Sequence, residues 1–401
     1  MNITICKWKD NCDSPVMFMV DDLANVWVDL NANGRVDLGE DWGYALRSNN
    51  SSIRFLEEQI LKKFPKVKVN FYVPVGKRVG MISDSSINMY SNTIDESESV
   101  KSFFRKLHEH PNYELSYHGT NHGKVYPKAQ DFQQEWETYT SLSEAIDIIC
   151  RGKEIFKNAT GEYPRGGKYC GYKSGKYGDR SIIGSNFIWW HRYWNKGIES
   201  GEKYADIGKE VNPLVAYDIT EIENTVVDIP STVPGNIFNN FSSNKLKRII
   251  KSFIWPFIFM KKSREIDFLL KNKLVISIQE HISPARNDGK TQNPNIFTDK
   301  DSLLRIFRFL SRKNVWYCTG SELAEYYLLR KETKVVCVGR QSFQLSFDEN
   351  KLPFILTKDH RLTLYFSGME KSITQPDGEI VSIVNGVATI GVLSGIFTVN
   401  Q

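Results

Sequence analysis

Between about residue 16 and about residue 330, short apolar runs of strand length alternate with longer amphipathic stretches. That alternation restricts the chain to a parallel α/β architecture, because parallel strands need helical crossovers to return to the same edge. Strand candidates fall at 16–20, 67–72, 114–117, 167–169, 187–190, 226–229, 274–279 and 315–318. Roughly six to eight parallel strands of this kind make a (β/α) barrel, here expected to be distorted. Helix candidates run over 52–64, 97–107, 142–156 and 301–310. In the first of them Ile53, Leu56, Ile60 and Leu61 recur at helical spacing after a serine start, and Pro65 follows its end.

After Thr333 the pattern changes to short β-rich runs at 335–338, 343–347, 362–366, 380–384, 387–393 and 396–399, separated by Gly, Asn, Asp and Pro. Two units are therefore expected, a barrel over 1–330 and a small all-β module over 331–401. A core of roughly 70 residues is marginal alone, so the module should dock on the barrel as a structural appendage.

The 401 residues are 41% hydrophobic and carry 52 basic against 47 acidic side chains, a net charge of +5. So mild and dispersed a charge gives no argument for nucleic acid as a partner, no nucleic-acid motif is visible, and none is expected. Residues 1–10 lack a basic start followed by an apolar core, so a cytoplasmic location is expected. Six scattered cysteines read as reduced thiols. The run from Ile249 to Met260, apolar and aromatic between basic flanks, suits either peripheral contact with the inner membrane surface or a buried lid with solvated lysines.

Two stretches carry chemistry. The apolar run 16–20 ends in Asp21 and Asp22, and residues 117–122 read Tyr-His-Gly-Thr-Asn-His, with His118 and His122 four apart. If the backbone turns at the strand end, both acids can face one cavity, and one helical turn would stack the two imidazoles on a single face. An acid plus two histidines meets the three-ligand, one-open-position requirement of catalytic zinc, leaving the second acid free as a base.

Separated motifs in this order resemble the polysaccharide deacetylase family, the NodB-type domain of carbohydrate esterase family four, across roughly residues 16 to 330. Val20-Asp21-Asp22 resembles the first motif, which implies Asp21 as general base and Asp22 as metal ligand. His118-Gly119-Thr120-Asn121-His122 resembles the second, implying two histidine ligands. The stretch from Thr160 to Lys168 resembles the third, implying that Arg165 orients the base. Phe187-Ile188-Trp189-Trp190 and Val226-Val227-Asp228-Ile229-Pro230 resemble the walls that follow, and Ile276 to His281 the last motif, implying His281 as catalytic acid. Leu23 stands where the family has glycine, and Gly119 where it has Ser or Thr.

The resemblance implies a zinc-dependent hydrolase removing N-acetyl groups from an amino sugar of a glycan or glycan precursor, in surface-polysaccharide or lipopolysaccharide biosynthesis. A deacylase of a related ester or formamide, and a non-catalytic carbohydrate-binding protein on a degenerate barrel, are the alternatives.

One insertion is separate from these motifs. Residues 29–40 match the twelve-residue EF-hand loop, with oxygen-bearing side chains at Asp29, Asn31, Asn33, Asp37 and Glu40, Arg35 at the position that offers its carbonyl, and Gly34 at the sixth. A structural Ca2+ is expected there, against the plainer reading of an Asn/Gly turn.

Overall fold

The computed structural model describes residues 2–193, 216–239 and 245–401, with backbone only at 245–256 and 258. All eight expected strands form, and all eight join one sheet: β1 (Ser14–Asp21), β2 (Val69–Val73), β3 (Tyr113–Tyr117), β4 (Gly166–Lys168), β5 (Trp189–His191), β6 (Val226–Asp228), β7 (Ile276–His281) and β8 (Val315–Tyr317). They run parallel in the order β6-β5-β4-β3-β2-β1-β7. The start of β1, Ser14–Val16, pairs with β8, whereas Phe18–Asp21 pairs with β2. An antiparallel strand, Thr220–Ile222, flanks β6, and a two-residue strand, Val233–Pro234, flanks β7. The ladder is therefore a distorted barrel with a seam between β6 and β7. There Val275 N–H donates to Tyr217 O and Ser277 N–H to the Thr232 hydroxyl.

Side-chain alternation along the strands decides what faces the barrel interior. On β1, Val16, Phe18 and Val20 pack into the core beneath the helices, while Met17 and Met19 join the second cluster with Tyr72 and Trp189. Asp21 continues that second set. On β7, Ile276 and Ile278 take the helix side, which leaves Gln279 and His281 on the same side as Asp21, and His281 is the register partner of Asp21.

Three of the described helices start at a side-chain cap. α1 (Ser52–Gln59) stops short of the expected residue 64 because Ile60 leaves helical geometry and a 3-10 turn, Leu61–Lys63, completes the segment. α2 (Glu98–His108) is capped by Ser97 and buries Val100, Phe103, Phe104 and Leu107, one face at helical spacing. α3 (Leu142–Thr160) starts at the Ser141 cap and ends at Gly161, whose φ is 97°. α4 (Gly178–Gly184) leads into β5 and α5 (Lys245–Lys271) into β7. α6 (Lys300–Leu310) and α7 (Gly320–Glu332) complete the barrel, the latter with a Thr319/Glu322 capping box.

The membrane-contact run from Ile249 to Met260 lies within α5, where most of its side chains fall outside the described residues; Phe257 and Met260 are exposed. No described helix is long and apolar enough to cross a membrane.

The C-terminal residues form antiparallel sheets, one of five strands running from Lys334–Gly339 to Ile380–Ser382, the other of three. The sequence expectation assigns residues 1–330 to the barrel, but Ile3–Ile5 pairs with Arg361–Phe366 and completes the three-stranded sheet.

Candidate active site

The chain leaves β1 through Asp22, whose φ is +66°. This left-handed turn brings both carboxylates to one cavity of about 350 Å³ at the carboxyl ends of the strands, shared with His118, His122, Gln279 and His281.

The two acids are held differently. Asp21 Oδ2 accepts from Lys168 Nζ at 2.5 Å and Gln279 Nε2 at 2.9 Å, while Asp21 Oδ1 is buried with no hydrogen-bond partner among the described residues. His118 Nε2 and His281 Nε2 lie 3.9 and 4.0 Å from Oδ2. Burial alone would raise the Asp21 pKa, but the Lys168 ammonium, with His118 and His281, outweighs it and holds the carboxyl below its ordinary range. Asp22 faces Arg78 Nε and Nη2 at 3.4 and 3.3 Å, Gln292 Nε2 at 2.9 Å and His122 Nε2 at 3.2 Å. Burial again opposes ionisation, and Arg78 and His122 overcome it, so this carboxylate lies well below its usual range. Arg78 itself is stacked 4.1 Å above the Trp42 ring.

The histidine pair does not sit on a helical turn. Residues 118–122 form a loop in which Gly119 has φ +84° and His122 φ +70°. What shapes the loop is Glu135, whose carboxylate accepts the backbone N–H groups of Thr120, Asn121 and His122 at 2.8, 2.8 and 2.7 Å. A Cβ on Gly119 would stand 2.5 Å from Glu135 Oε2, so this carboxylate excludes any residue but glycine there. The imidazole centroids end up 5.1 Å apart. His118 Nδ1 donates to Lys168 O at 2.9 Å, which fixes the tautomer and leaves Nε2 with its lone pair. Burial pushes the His118 pKa down to about 4, so the ring is neutral and able to ligate at neutral pH.

These residues fit a divalent metal. His122 Nδ1 is buried without a hydrogen-bond partner among the described residues, and ligand atoms of His118, His122 and Cys170 lie within 4.8 Å of one another. Asp22 adjoins this group through His122. Buried thiol, imidazole and carboxylate donors suit zinc.

Arg165 is not brought to the site. It precedes β4, pairs with Glu325 and lines a second cavity with His360, against the C-terminal module. The cation beside Asp21 is Lys168, three residues later at the carboxyl end of the same strand. Sequence reasoning missed Lys168, Arg78, Glu135, Gln279 and Gln292. For Lys168 a signal existed, since a strand at 167–169 places that residue where barrel sites are built.

His281 Nδ1 donates to Pro294 O at 2.6 Å, which leaves Nε2 directed at Asp21.

The insertion 29–40 is tied to the segment after β7, where the Ser283 hydroxyl donates to Gly39 O at 2.6 Å. Asp29 carboxylate oxygens accept from Asn33 N–H at 3.1 Å and Gly34 N–H at 3.0 Å, with φ +70° at Gly34. Glu40 is buried and accepts from Leu30 and Asp37 N–H at 3.0 and 2.9 Å. Asn31 and Asn33 side chains both donate to Asp37. Arg35 N–H donates to Asn33 Oδ1 at 2.7 Å.

No family model matches the chain, and no curated protein matches it. Among solved structures it is similar to a "putative polysaccharide deacetylase from Mycobacterium smegmatis", at 13% identity over 82% of this chain and 94% of that one, with a TM-score of 0.45. It is also similar to the Puue allantoinase, at 12% identity over 79% and 91% with a TM-score of 0.42. A third similarity is to a family 4 acetyl xylan esterase from Clostridium thermocellum, at 10% identity over 77% and 90% with a TM-score of 0.36. What the site can do follows from its side chains.

Proposed function

We propose that this chain is a metal-dependent hydrolase that removes N-acetyl groups from an amino sugar of a glycan or glycan precursor, in the building of surface polysaccharide or lipopolysaccharide. The observation that carries this reading is Asp21: Oδ2 is saturated by Lys168 and Gln279, Oδ1 has no hydrogen-bond partner among the described residues, and two imidazoles flank it. That is the arrangement a general base needs, ionised yet with one unshared oxygen.

Asp22, His118 and His122 would hold zinc, with Cys170 Sγ beside the two histidines. When bound, zinc supplies a Lewis acid for the acyl oxygen and lowers the pKa of water. Asp21 Oδ1 takes the proton of the attacking water, and Lys168 and Gln279 keep the carboxylate oriented while it does so. His281, whose Nδ1–H is committed to Pro294 O, acts in its imidazolium form and passes the Nε2 proton to the departing nitrogen, and the proton that Asp21 took from water restores it for the next turnover. Acetate and a free amine are the products.

Acetate release from N-acetylated nucleotide sugars and lipid-linked glycans, assayed with zinc, cobalt or nickel, tests the reading. Metal-dependent release from at least one substrate is expected. Silence across both carriers with every metal would leave a binding protein.

The Asp29–Glu40 loop is proposed as a structural Ca2+ site, supported by its donor spacing and by the turn at Gly34. Calorimetry should give a calcium isotherm for the parent and none for the Asp29→Ala/Glu40→Ala variant; identical traces would dismiss it.

A further inference from the structure

We infer that Tyr44 and Tyr90, stacked over Trp27, form a sugar-stacking subsite for a glycan that extends beyond the catalytic cavity, an inference that rests on the carbohydrate reading above. Trp27 and Tyr90 are register partners in a two-stranded ribbon, Val26–Asp29 with Asn88–Ser91. Val26 and Val28 point into the barrel core, so Trp27 and Tyr90 take the opposite face. The Tyr90 ring lies 4.5 Å from the indole at 8°, and the Tyr44 ring 5.5 Å from it at 27°. The tyrosine centroids are only 6.2 Å apart, too close for the two rings to sandwich the indole. They lie side by side on it.

Trp27 is 4% exposed beneath them and donates its indole N–H to Glu40, whereas Tyr44 and Tyr90 are 37% and 44% exposed. The ribbon and the turn that carries Tyr44 therefore form a double-width aromatic surface that the core does not use. Asn88, two residues before Tyr90 on the same strand face, is exposed and sets an amide beside the ring. Two aromatic rings inclined at 34° to each other, with a neighbouring amide, offer apolar faces to a pyranose, which has an apolar C–H face and hydroxyl edges.

The surface is tied to the cavity at each residue. Ser91, next to Tyr90, donates its hydroxyl to the carbonyl of Arg78, which grips Asp22. Trp42, two residues before Tyr44, lies under the Arg78 guanidinium and donates its backbone N–H to Val26 O, next to Trp27. Adjacency to Arg78, which lines the cavity, argues for the substrate itself as occupant, rather than a protein drawn to the exposed Leu30 and Leu38 nearby.

The test compares the parent, Tyr44→Ala/Tyr90→Ala and Tyr44→Phe/Tyr90→Phe on the di- and hexasaccharide of N-acetylglucosamine. Binding is read by calorimetry and acetate release by KM and kcat. The alanine pair should raise Kd and KM for the hexasaccharide by about tenfold (~1.4 kcal/mol), leaving kcat and all disaccharide parameters unchanged, and the phenylalanine pair should restore the parent values. Failure of the parent to bind the hexasaccharide, equal losses on both sugars, or an alanine pair that only dissociates an oligomer would each overturn it. Tyrosine-dependent binding without acetate release would sink the deacetylase reading and keep the subsite. Acetate release from either sugar with no tyrosine dependence would do the reverse.

Discussion

Replacing Lys168 with methionine is expected to lower kcat by roughly a thousandfold and to move the acid limb of the kcat/KM profile to higher pH. The direction follows from Asp21. Its pKa sits below the ordinary value although burial pushes it up, and Lys168 is the largest of the charges that reverse that push. Without the ammonium, burial dominates, the carboxyl is protonated at pH values where the parent is ionised, and the base form appears only as the pH rises. Unpairing a buried charge also costs about 3–5 kcal/mol of stability, so the melting temperature should fall. Lys168→Arg keeps the charge and should retain more turnover than methionine. Arg165→Ala removes a half-exposed cation that pairs with Glu325 away from the cavity; it should cost no more than about 1 kcal/mol of stability, as loss of a partly exposed ion pair generally does, and leave kcat within about twofold of the parent. A collapse on Arg165→Ala with normal turnover in Lys168→Met would restore the arginine as the orienting cation.

Asp21→Asn is expected to bind zinc as the parent does and to lose turnover by roughly 10³- to 10⁴-fold. The amide keeps the shape of the side chain, so His118 and His122 stay in place, but Oδ1 no longer offers a carboxylate lone pair to a water proton. Lys168 would then face a neutral partner, and its own pKa, already depressed by burial against the pull of Asp21, should drop further. Zinc content by atomic emission, measured beside kcat, separates loss of the base from loss of the metal. Retained turnover would remove Asp21 from the chemistry.

The strands were legible because each is a short apolar run whose neighbours are helical, and a parallel sheet leaves few ways to connect them. That Asp21, Asp22, His118, His122 and His281 share one cavity was legible because strand ends concentrate reactive groups. Arg165 was misread for a local reason. The stretch Arg165-Gly166-Gly167-Lys168 offers two cations around two glycines, and glycines give no apolar alternation from which to fix the strand. A Cβ on Gly166 would stand 2.1 Å from the Trp189 ring, so packing against the neighbouring strand, invisible in sequence, selects that residue and the position of the strand. The four-residue histidine spacing suggested a helix for lack of knowledge of Glu135, which captures three loop N–H groups from thirteen to fifteen positions away. Arg78 and Gln292 come from loops, where no periodicity marks a residue as facing inward. Pairing of Ile3–Ile5 with Arg361–Phe366 is a contact across nearly the whole chain, and local pattern has no hold on it.

The claim on which the rest depends is that His118 and His122 hold a catalytic metal beside Asp21. Zinc titration of the metal-free parent and of the His118→Ala/His122→Ala variant, followed by calorimetry, tests it most directly. One tightly bound zinc per parent chain and none in the variant is the predicted result; an unchanged isotherm in the variant would contradict it.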